Sequence, residues 1–123
     1  MAQALHPYAS RMTLTPTGIY VPIVTPFDEA GQINVEELRS LVGFMLESGV
    51  SGIVAAGTTG EGYSFSFDER RLVLKTIVNC VDGAVPVLAG VGGMSTHEAV
   101  DQAILAKRSG ITGLMLAAPP YCL

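Results

Sequence analysis

Four short stretches of the chain combine residue types that could do chemistry. Gly57-Thr58-Thr59-Gly60-Glu61 sets two hydroxyls and several backbone N–H groups between glycines that let a ligand approach the main chain. Such a loop suits a small carboxylate, whose oxygens accept hydrogen bonds from amides and hydroxyls. The same residues equally suit a glycine-rich turn whose threonines cap their own backbone. A phosphate loop does not fit, because no Gly-Lys-Ser/Thr follows. Pro119-Pro120-Tyr121-Cys122 fixes a tyrosine beside two prolines, where it is a hydroxyl relay, a stacking wall or a plain surface side chain in a rigid turn. No histidine is set to activate Cys122, and His97 falls in the first turn of a helix, a place for a solvated side chain. Gly90-Val91-Gly92-Gly93 departs from the dinucleotide fingerprint, with Ser95 where the last glycine belongs; tight packing at a strand end accounts for these glycines. Thr25-Pro26-Phe27-Asp28, with Gly31, reads as a turn that ends a strand.

These stretches follow four apolar runs, Ile19–Thr25, Gly52–Ala56, Val85–Ala89 and Gly113–Ala117. Each is rich in Val, Ile, Leu or Ala without polar alternation, as in a parallel strand covered on both faces. Between them lie amphipathic segments with capping-box patterns. Asn34 and Glu37 precede Leu38, Leu41, Val42, Met45 and Leu46, and Gly49 stops that helix. Ser66 and Glu69 precede Leu72, Val73, Ile77 and Val78; Ser95 and Glu98 precede Val100, Ala103, Ile104 and Ala106, with Gly110 as the stop. The order is β-α-β-α-β-α-β, with strand starts about 30 residues apart. This is an α/β chain, either a doubly wound sheet or part of a (β/α)8 barrel, and in both the chemistry sits at the carboxyl ends of strands.

The balance of residues narrows the function classes. A formal net charge of −4 gives no electrostatic footprint for nucleic acid or an anionic membrane. Glycine, proline or charge interrupts every apolar run before it reaches the length of a membrane span, and residues 1–17 hold no apolar stretch suited to a signal peptide. Two cysteines, Cys80 and Cys122, make no disulfide framework, so the expected compartment is a reducing cytoplasm. At 49% hydrophobic and 15% charged, the 123 residues can form a core.

Taken with Val24-Thr25-Pro26-Phe27, Pro86-Val87-Leu88-Ala89-Gly90 and Pro119-Pro120-Tyr121, the loop Gly57-Thr58-Thr59-Gly60-Glu61 resembles the dihydrodipicolinate synthase / N-acetylneuraminate lyase family, class I aldolases built on (β/α)8 barrels. The resemblance runs over residues 18–122, with the motifs in order and at the right spacing. It implies residues 1–17 as an N-terminal extension and residues 18–123 as the first half of a barrel, strands one to four with helices one to three. It also implies chemistry through a lysine amine that condenses with the keto group of pyruvate or a related 2-keto acid, without metal or other cofactor. The imine then acts as an electron sink for making or breaking the neighbouring carbon–carbon bond. Thr58 and Thr59 would hold the substrate carboxylate, Thr58 would join a proton relay, and Tyr121 matches the tyrosine that in many members reaches into a neighbouring subunit's site. A homo-oligomer is therefore implied.

Two departures from the family pattern matter. The family's Schiff-base lysine lies on the sixth strand, whereas the two lysines of this chain, Lys75 and Lys107, fall in the second and third helices. The chain on its own is thus expected not to form the imine. Pro120 stands where the synthases usually have a first tyrosine, and Phe67 and Met94 replace polar residues that line a feedback lysine site in many of them, with only Glu98 retained. These replacements favour another 2-keto acid aldolase or dehydratase of the family, such as one acting on 2-keto-3-deoxy sugar acids. Two readings from other classes stand beside this one. One is a half-barrel that serves as a binding or structural module and self-associates through its open sheet edges. The other is a doubly wound nucleotide-binding domain, which lacks its phosphate loop.

Overall fold

The computed structural model describes residues 14–119. Tyr121 and Cys122 lie outside them. Eight elements follow in order: β1 (Tyr20–Pro22), α1 (Val35–Glu47), β2 (Gly52–Ala55), a short 3-10 turn η1 (Gly62–Ser64), α2 (Phe67–Val81), β3 (Val87–Val91), α3 (Thr96–Arg108) and β4 (Gly113–Leu116). The strands form one parallel sheet in the order β1-β2-β3-β4. The register pairs Tyr20 with Gly52, Ile53 with Val87, and Leu88 with Gly113. A doubly wound sheet reverses its strand order at a switch point; a barrel adds each strand beside the last. The sequential order therefore selects the partial barrel.

The helices start where their caps put them. The side chains of Asn34, Ser66 and Ser95 each accept a hydrogen bond from the amide three residues on. Only the second is a complete capping box, with the Ser66 amide donating back to Glu69 Oε2 at 2.8 Å. At the third, Glu98 turns instead to the Met94 amide. Gly49 and Gly110 take the positive φ of their helix stops.

The core lies between the sheet and α1 and α2. Ile23, Leu38, Val42, Ile53, Ala55, Val73, Leu74 and Ile77 have no exposed surface, and each large aliphatic among them contributes about 1.5–3 kcal/mol through burial. The expectation of strands covered on both faces holds for β2, whose four residues are all buried. It fails for β4, where Leu114, Met115 and Leu116 are exposed. Helix α3 also departs from its expected inward face. Val100 and Ile104 are exposed, while Gln102, Leu105 and Ala106 are buried. Gln102 takes an interior place because its amide oxygen accepts from Gly92 N at 3.1 Å. Among the described residues no helix is long and apolar enough to cross a membrane.

Candidate functional site

The second βα connection holds the densest set of directional groups. Ala56, the residue after β2, has φ +50°, which breaks the strand and turns the chain sideways. The turn then closes on itself through Glu61 N to Thr58 O and Gly62 N to Gly57 O, both 3.0 Å, with Glu61 also left-handed at φ +57°. Gly57 and Gly60 are buried, whereas Thr58 and Thr59 are exposed. Among the described residues neither threonine hydroxyl takes part in closing the turn, which is held by main-chain bonds. Neither hydroxyl, among the described residues, bonds back to the turn as self-capping would require.

Neighbouring strand ends brace this turn. Thr25, buried beyond β1, donates its hydroxyl to Gly60 O at 2.8 Å. From the other side Arg70, in the first turn of α2 and 4% exposed, donates Nη2 to Gly62 O at 2.7 Å and Nη1 to Gly90 O at 2.8 Å. Burial lowers the guanidinium's pKa from its ordinary value and the nearby Glu98 carboxylate opposes that shift; arginine stays protonated throughout the physiological range. The glycines of the third connection behave as tight packing demands. A Cβ on Gly90 would lie 2.6 Å from Gly57 Cα and 2.7 Å from Ala56 O, so β3 and the turn after β2 touch backbone to backbone.

An open cleft of about 350 Å³ runs along these strand ends, lined by Gly57, Thr58, Tyr63, Arg70, Glu98 and Gln102 among others. Its far wall is ordered by Glu98, which accepts from Met94 N at 3.1 Å and from Gln102 Nε2 at 3.4 Å. Thr58 thus lines the cleft, its hydroxyl without a partner among the described residues, and Thr59 is next to it on the same turn. Lys75 and Lys107 are exposed on α2 and α3. Lys107 stands at the carboxyl end of α3, the end remote from the strand carboxyl termini. His97 is solvated on α3, 3.3 Å from Asp101. Asp28 makes a local turn, its side chain accepting from the amides of Ala30 and Gln32.

Two contributors were not singled out from the sequence for what they do here. Arg70 precedes the buried Val73, Leu74 and Ile77 by three, four and seven residues, so helical spacing alone puts this cation on the inward face. Thr25 was read only as part of a turn.

Residues 15–123 match the dihydrodipicolinate synthetase family. The chain belongs to this family. Its similarity to a 4-hydroxy-tetrahydrodipicolinate synthase of Nitrosospira multiformis is 43% identity over 104 residues, 85% of this chain and 35% of that protein. Among solved structures of the family, the chloride-inhibited dihydrodipicolinate synthase from Acinetobacter baumannii complexed with pyruvate shares 37% identity, with a TM-score of 0.84 over 87% of this chain and 37% of that one. A prophage protein of the dihydrodipicolinic acid synthase family from E. coli K12, also in complex with pyruvate, shares 30% identity, with a TM-score of 0.81 over 85% of this chain and 35% of that one. The chain therefore spans about a third of the length of the family members it matches, and its four strands correspond to part of their (β/α)8 barrel.

Proposed function

We propose that residues 18–123 supply the first half of the barrel of a synthase or lyase that forms or cleaves a carbon–carbon bond beside a Schiff base of pyruvate or a related 2-keto acid. The observation that carries this reading is the turn after β2, which offers the hydroxyls of Thr58 and Thr59, unpaired among the described residues, at the carboxyl end of a barrel strand. Thr58 and Thr59 hold the substrate carboxylate through hydroxyl and amide donors, and Thr58 passes a proton between reactant and relay. Tyr121, outside the described residues, acts as the relay's hydroxyl. Pyruvate in two similar solved structures supports the substrate class, and the enzyme name of the curated relative favours catalysis over a half-barrel that only self-associates. The reading includes a cytoplasmic homo-oligomer as the working form.

The chain on its own does not form the imine in this reading, because Lys75 and Lys107 sit on the helices and not at a strand end. A titration of the 15N-labelled chain with pyruvate tests both parts. The expected result is saturable shifts of the Thr58 and Thr59 amides, lost in Thr59→Val, with no covalent adduct after borohydride reduction. Shifts confined to other residues, or an adduct on Lys75 or Lys107, would overturn it.

A further inference from the structure

The turn that carries Thr58 and Thr59 is flanked and closed by strained backbone. It contains two non-glycine residues in the left-handed region, Ala56 at φ +50° and Glu61 at φ +57°. Such conformations persist only where surrounding contacts over-determine them. Two main-chain hydrogen bonds close the turn, and two side chains grip it from outside, Thr25 at Gly60 O and Arg70 at Gly62 O. Arg70 is the unusual member. A guanidinium buried to this depth is costly unless its donors are used, and among the described residues it forms no ion pair at all. Its donors go to two carbonyls on two different segments, Gly62 O in the connection after β2 and Gly90 O within β3. A planar fork can bridge two acceptors in one fixed geometry, whereas an ammonium on a flexible stem cannot reproduce that span.

We propose that Arg70 is a positioning residue for the 2-keto acid site: it fixes the 57–62 turn to β3 through the carbonyls of Gly62 and Gly90, and so sets the geometry in which Thr58 and Thr59 meet the carboxylate. Arg70 acts through the main chain and does not itself hold the substrate. The substrate part of this inference rests on the proposed function; the mechanical part does not.

Hydrogen exchange on the 15N-labelled chain, without pyruvate, tests the mechanical part. The amides of Glu61 and Gly62 report the turn, and those of Ile53 and Leu38 report the core. In Arg70→Met the turn amides should exchange about tenfold faster or more relative to the core amides, the size expected from losing charge-assisted hydrogen bonds. Arg70→Lys, which keeps the charge but can reach only one carbonyl, should fall between the two. An unchanged ratio, or an equal rise throughout the core, overturns the inference. The unsubstituted chain gives a check that needs no variant: the Arg70 Nη protons should appear as distinct, slowly exchanging resonances, and their averaging by free rotation would equally overturn it. Pyruvate is then added. Its apparent affinity should fall about tenfold or more in Arg70→Met with the core exchange rates intact, and an unchanged affinity alongside a loosened turn would defeat the positioning role. Failure of the unsubstituted chain to bind pyruvate would defeat the proposed function and leave the exchange result standing.

Discussion

A glycine-to-alanine change adds one methyl group, and at two positions in this chain it should act in opposite directions. Gly43 lies inside α1, and a Cβ there would meet nothing within 4 Å. Alanine should stabilise the fold by about 0.5–1 kcal/mol, through the smaller loss of backbone entropy and better helix propensity. Gly90 lies in β3, where the new carbon would sit 2.6 Å from Gly57 Cα, 2.7 Å from Ala56 O and 2.9 Å from Gly57 N. All three are main-chain atoms, and none can rotate away. Relief needs a movement of about 1 Å between β3 and the turn after β2, to reach ordinary van der Waals separation. Overpacking of this kind costs roughly 1–3 kcal/mol, and rigid backbone on the far side places Gly90→Ala at the upper end. Urea unfolding followed by circular dichroism gives both numbers. In thermal unfolding a change of 1 kcal/mol should move the midpoint by about 4 °C for a chain of this size. The same movement displaces Gly57, so Gly90→Ala should also weaken pyruvate binding at Thr58, whereas Gly43→Ala should leave it unchanged. A neutral or stabilising Gly90→Ala would refute the close approach of β3 to the turn after β2. A destabilising Gly43→Ala would refute the open surface on α1.

Three further outcomes are expected. Thr25→Val removes the hydroxyl that donates to Gly60 O and leaves a buried carbonyl unpaired, at a cost of about 1–3 kcal/mol in chemical denaturation; an isosteric swap without effect would mean that water replaces the bond. Leu38→Ala empties a fully buried site against the sheet and should cost about 2–5 kcal/mol, measured in the same way. Glu69 is held below the usual carboxylate range by hydrogen bonds from the backbone and then the side chain of Ser66. Its folded pKa is thus below its unfolded one, so its contribution is complete above the ordinary glutamate pKa and is lost as pH falls through the folded value. Unfolding titrations from neutral to acid pH should therefore show a shallower decline in Glu69→Gln than in the unsubstituted chain.

Much of this fold was legible in the sequence because its signals are local. Each strand is a short apolar run, each helix opens on a side chain that caps the third amide ahead, and Gly49 and Gly110 mark two stops. Strand limits drifted where a neighbour decides them: β3 extends to Val91 because Val91 pairs with Leu116, a partner that no local pattern reveals. The inward face of α3 does not follow hydrophobicity alone, since Gln102 is drawn inside by the Gly92 amide. At the site, the Gly-Thr-Thr-Gly turn was visible by composition, but its braces come from Thr25 and Arg70, at sequence separations of 35 and 8 residues from the carbonyls they hold. Arg70 was the more recoverable of the two, since its spacing from Val73, Leu74 and Ile77 marks a cation on an apolar face.

The sheet order β1-β2-β3-β4 also bears on how the chain acquires its structure. Each described strand pairs with the strand just before or after it in the chain, so each of these pairings closes a loop of about 30 residues. A nascent chain emerging from its amino end can therefore dock each βα unit on the preceding one as it is made. The growing edge at each stage is the newest strand, and at the last described stage that edge is β4, with Leu114 and Leu116 uncovered. Sequential docking thus leaves apolar side chains uncovered on the newest described strand.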